Sequence, residues 1–118
     1  MVRSTWEQLT SKLDDRDLAL ISAYRRECLA LGDVDEQVHA TEVQYKLARI
    51  FTSAYIKSHY LEVSVDLLRE AKHPQLRLAF HTTKKVITHR LTLTTASQVE
   101  SLAPLLKEAL DTVGPGTR

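Results

Sequence analysis

Between residues 18 and 31 apolar side chains return every three or four positions, at Leu18, Ile21, Tyr24, Cys28 and Leu31. That spacing puts them on one face of an α-helix. Asp14 and Asp15 stand where an N-cap belongs, with Asp17 near the positive end of the helix dipole. Gly32 follows as a stop that can adopt a left-handed backbone. Upstream, Ser4-Thr5 offers a capping hydroxyl to a short amphipathic turn whose apolar side is Trp6, Leu9 and Leu13.

Beyond Gly32 the period falls to two. Val34, Glu36, Val38 and Ala40 suggest a short, weakly alternating strand, and residues 45–56 and 60–67 read as two better ones. In the latter, Leu61, Val63, Val65 and Leu67 alternate with Glu62, Ser64 and Asp66, the mark of one buried and one wetted face. Lys57-Ser58-His59 is short enough for a hairpin, although the Asn-Gly pair that favours a tight primed turn is absent. Residues 69–78 are polar and basic, and His73-Pro74 interrupts regular structure there. Residues 85–94 return as a threonine-rich strand, with Ile87, His89, Leu91 and Leu93 on one side and Thr88, Arg90, Thr92 and Thr94 on the other. Thr95 and Gln98 then form a capping-box pattern. Val99, Leu102, Leu105, Leu106, Ala109, Leu110 and Val113 supply an apolar helical face interrupted by Pro104. Proline is tolerated only in a first turn, so the pattern predicts a short turn around Gln98 and a second helix opening near Pro104.

A helix, a run of strands and a closing helix predict an α+β fold. The simplest arrangement is a two-layer sandwich, with both long helices covering the apolar face of a three- to four-stranded antiparallel sheet. At 118 residues the chain is expected to form one domain over residues 1–113, with residues 114–118 as a frayed tail.

Charge narrows the function classes. Sixteen Lys and Arg against fifteen Asp and Glu give a net charge of +1 with the signs interspersed. That argues against gripping duplex nucleic acid or an acidic membrane surface through a basic field. One cysteine, Cys28, cannot form an internal disulfide. With no signal-like apolar run after Met1 and no stretch long enough to span a bilayer, an intracellular, cytoplasmic location is expected.

Several runs also resemble a known family. They are the helix ending in Leu31-Gly32-Asp33-Val34, the strand pair at residues 45–67, and Thr88-His89-Arg90-Leu91-Thr92-Leu93-Thr94 followed by Val99 and the helix at residues 105–109. Together they resemble domain-of-unknown-function family 5655, a bacterial family with a related Thr-His-Arg strand before a terminal helix. The likeness runs from about Asp14 to Val113. It implies a small α+β domain with no established activity. Some members are appended to other modules, which implies a binding or accessory role.

Candidate chemistry is sparse. The five histidines, His39, His59, His73, His81 and His89, show none of the short ligand spacings of a metal site, so neither metal nor cofactor is expected. Cys28 lies on an apolar helix face, no serine sits in a nucleophile elbow, and three glycines exclude a phosphate loop. No catalytic residue is assigned. His89 points by parity towards the helices, either as a hydrogen-bonded core residue or as a ligand at the rim of a pocket. Arg90 and Thr88 project the other way, where Arg49 and Tyr55 are expected to join them. That face is either a solvated ion-pair lattice or a binding surface with Arg49 and Arg90 as anion anchors and Tyr55 as a stacking platform. Phe51 and Tyr55 are the expected contacts of a docked partner or a homodimer. The reading is a non-enzymatic binding module, against a small-ligand or metal protein sited near His89 and a nucleic-acid accessory factor.

Overall fold

The computed structural model describes residues 4–116. Helix α1 (Trp6–Thr10) opens on a reciprocal cap, with Gln8 N–H donating to the Thr5 hydroxyl while Thr5 N–H donates to the Gln8 side chain. Helix α2 (Asp15–Leu29) is capped by Asp14, whose Oδ1 accepts from Asp17 N–H at 2.8 Å. Six strands follow: β1 (Asp35–Val38), β2 (Val43–Lys46), β3 (Ile50–Lys57), β4 (Tyr60–Leu67), β5 (Leu76–His81) and β6 (Ile87–Leu93). They form one sheet in the order β1-β2-β3-β4-β6-β5, antiparallel throughout. Helices α3 (Ala96–Glu100) and α4 (Ala103–Thr112) close the chain, with Thr95 capping the first and Pro104 in the opening turn of the second.

The class is α+β with an antiparallel sheet, but the sheet has six strands where three to four were expected. Two departures account for the difference. Residues 45–56 are not one strand. They turn at Leu47-Ala48-Arg49, where Ala48 N–H and Arg49 N–H both donate to the carbonyl of Gly114, at 2.8 and 2.9 Å. The turn is thus set by a partner more than sixty residues away, which no local pattern announces. The pairing also slips between Tyr45 and Lys46, so Phe51 and Thr52 are both buried although they are neighbours in a strand. Phe51 is therefore a core residue at 0% exposure, not part of a docking contact. The other departure is β5, an edge strand with a bulge between Leu76 and Leu78 and little alternation in its burial.

Core packing follows the later strands closely. Leu61, Val63, Val65 and Leu67 of β4 and His89, Leu91 and Leu93 of β6 face the helices, and α2 and α4 both rest on β3 and β4. On α2 the buried stripe is Leu20, Ile21, Ala23, Tyr24 and Cys28 together with Asp17, while Leu18 is exposed. Residue 114 was expected to open a frayed tail. Gly114 is buried, and a Cβ there would meet the Leu110 carbonyl oxygen at 2.3 Å. Thr117 and Arg118, where fraying was also expected, lie outside the described residues.

Candidate functional site

Facing away from the helices, β3, β4, β6 and β5 present a polar sheet surface. Ser53 pairs with Ser64, Ser64 with Arg90 and Arg90 with Leu78 across the register, and Tyr55 pairs with Glu62, which pairs in turn with Thr92. Tyr55, Lys57, Glu62, Arg77, Leu78 and Arg90 line a shallow cleft of about 230 Å³. Within it Thr92 donates to Glu62 Oε2 at 2.9 Å, and Arg77 stands 3.7 Å from Glu62 Oε1. The Arg90 guanidinium lies 5.3 Å over the ring of Phe80. Leu78 and Phe80 are 46% and 38% exposed, large apolar side chains left open on an edge strand.

The expected members of this surface separate. Tyr55 and Arg90 are exposed and share the cleft. Thr88 is buried and committed, donating to Asp66 Oδ1 at 2.7 Å and touching the Thr82 hydroxyl. Arg49 sits in the β2–β3 turn, not on a strand, where its charge bears on Asp66. Burial pushes the Asp66 carboxyl above its ordinary range, against the Thr88 hydrogen bond and Arg49, which favour the ionised form.

His89 is 1% exposed. Its Nε2 accepts from Ala71 N–H at 2.8 Å, while Nδ1 faces the carbonyls of Ile87 at 3.1 Å and Val65 at 3.3 Å. The partners fix the tautomer, because an Nε2 that accepts leaves the proton on Nδ1 to be donated. Both nitrogens are used by backbone, so His89 pins the loop after β4 to the sheet and has no atom left for a ligand. Cys28 on α2 is also closed to chemistry, since it is fully buried and burial pushes its thiol far above the usual range.

Glu36, on the helix side of β1, is held by a similar closed network. It receives Arg25 bidentately at 2.8 and 2.9 Å and the Tyr45 hydroxyl at 2.6 Å, and Arg25 stacks 4.4 Å over Trp6. Burial alone pushes the Glu36 carboxyl up, but the hydrogen bonds from Arg25 and Tyr45 and the Arg25 charge outweigh it and hold the group below its ordinary range.

One cluster escaped the sequence reading. Ser58 and His59 form the two-residue β3–β4 turn with φ of +50° and +67°, the left-handed pair of a primed hairpin made without asparagine or glycine. The turn carries His59 to the start of α2, where its Nδ1 lies 2.9 Å from Asp17 Oδ2 and 3.5 Å from Asp14 Oδ2. The i,i+3 spacing of the two aspartates on a helix start was legible. Their meeting with a histidine forty-two residues on was not. The other histidines stay apart. His39 faces Gln44, His73 bonds Ser101 and Gln75, and His81 approaches the Thr83 carbonyl.

Among the described residues no helix is long and apolar enough to cross a membrane. Comparison of the chain with protein-family models, with curated proteins and with solved structures finds no match in any of the three.

Proposed function

We propose that the chain is a binding module without catalytic activity of its own, and that it takes an extended acidic segment of a partner protein along the open sheet face beside β5. The observation that carries this reading is the make-up of the cleft, where Tyr55 and Leu78 give apolar walls and Lys57, Arg77 and Arg90 outnumber Glu62. Glu62 is already shared between Arg77 and Thr92, so Lys57 and Arg90 remain to meet carboxylates. A guanidinium stacked on a ring keeps its in-plane donors free for a bidentate carboxylate. β5 ends the sheet and pairs with β6 alone, which leaves a row of backbone donors and acceptors for an added strand.

The test is titration of the full chain with two synthetic peptides, one alternating Glu with Val and one alternating Lys with Val. Salt-sensitive binding of the glutamate peptide alone, lost in Arg90→Glu and weakened in Tyr55→Ala, supports the proposal. Equal binding of both peptides, or of neither, sinks it. A dimer that dissociates in Arg90→Glu would instead place a second copy of this chain on the face.

A further inference from the structure

We propose that Asp14, Asp17 and His59 bind one divalent transition-metal ion, zinc in the first instance, joining the start of α2 to the β3–β4 turn. The site is separate from the sheet-face cleft and does not depend on it.

Three observations carry it. The ligand atoms already lie near the spacing an ion imposes. Metal–nitrogen and metal–oxygen bonds of about 2.0–2.1 Å at a tetrahedral angle put neighbouring ligands about 3.3 Å apart. His59 Nδ1 stands 2.9 Å from Asp17 Oδ2 and 3.5 Å from Asp14 Oδ2, and all three ligand atoms fall within 4.8 Å of one another.

The charges, in turn, are unbalanced. Two carboxylates converge on a single imidazole nitrogen that can offer at most one hydrogen, whereas one dication can meet both.

The third observation is the state of Asp17. It is only 4% exposed, yet its Oδ1 is buried with no hydrogen-bond partner among the described residues. Burying a carboxylate oxygen without a partner is costly, and an ion held by both Asp17 oxygens, Oδ2 towards His59 and Oδ1 beside it, would answer it. Asp14 is meanwhile divided between two tasks, with Oδ1 capping α2 through Asp17 N–H at 2.8 Å and Oδ2 turned to the cluster.

The donor set selects the class of ion. An imidazole beside two carboxylates suits zinc and its first-row neighbours, whereas magnesium and calcium prefer oxygen alone. The His59 side chain is 67% exposed, so a fourth position is open to water. Leu13, next to Asp14 in sequence, Ile21, one helical turn after Asp17, and Ile56, on the strand leading to His59, line a small cleft with Thr41.

Tag-free full chain, stripped with chelator, is titrated with zinc ion by calorimetry and thermal melting, with magnesium in parallel. The expected result is one equivalent of zinc and a midpoint raised by roughly 10 °C at a hundredfold excess over Kd. His59→Asn, which tolerates the left-handed turn, and Asp17→Asn should each weaken zinc binding at least tenfold, while His81→Gln leaves it unchanged. No midpoint shift, a shift of equal size with magnesium, or wild-type affinity in His59→Asn overturns the proposal. Should Asp17→Asn fail to fold, the exposed His59 variant decides alone.

Discussion

His89 and His59 occupy corners of the same sheet that differ in every respect that matters for function. At His89 a ring sits in the core with each nitrogen answered by backbone, so chemistry has been spent on holding the loop after β4. At His59 a ring stands on an exposed turn against a buried carboxylate with one oxygen unanswered. A histidine that looks central by parity is thus closed, and one that looks like a turn residue is the member of a cluster with capacity to spare. Burial and the count of satisfied atoms together separate the two roles.

The comparison breaks first, and most heavily, at His89. His89→Ala leaves a cavity and orphans the Ala71 N–H, and should cost about 3 kcal/mol in urea unfolding. A loss under ~1 kcal/mol would mean that the corner is not closed. Glu36 belongs with His89 as a satisfied group, and acid should reveal it. Its folded value lies below the ordinary 4.5, so the folded state resists protonation there. The stability it contributes is complete above about pH 4.5 and is lost as the pH falls through the lower folded value. Unfolding free energies of wild type and Glu36→Gln from urea titration should therefore differ by roughly 1–2 kcal/mol at pH 6, and the gap should close as the pH falls below 4.5. A gap that persists in acid would remove the charge from the explanation. The smallest effect belongs to the open corner, where His59→Asn in chelator should move stability by no more than about 0.5 kcal/mol. A larger loss would show that the imidazole there is structural, like its counterpart.

Much of the fold was legible because the burial of β4 and β6 writes a two-residue period into residues 60–67 and 87–93, and because Thr5, Asp14, Thr95 and Pro104 mark helix starts through local hydrogen bonding and sterics. What stayed hidden depends on distant partners. The break between β2 and β3 is held by Gly114, and β5, exposed at the sheet edge, has no alternation to show. On the open face the same contrast holds. The parity of Arg90 and Tyr55 could be read from the strand, but the withdrawal of Thr88 into hydrogen bonds with Asp66 and Thr82 could not. Asp14 and Asp17 were visible as a capping pair. Their approach to His59 needed a hairpin whose left-handed turn is built from Ser58 and His59, residues that do not advertise one.

The carbonyl of Gly114 gives the chain an order of completion during synthesis. The β2–β3 turn is made before mid-chain, yet the two amides that fix it, from Ala48 and Arg49, have their acceptor only near residue 114. A nascent chain arrested at residue 113 would emerge with that hairpin unfastened and α4 without its final anchor. Residue 114, made long after the β2–β3 turn, is thus what locks that turn in place.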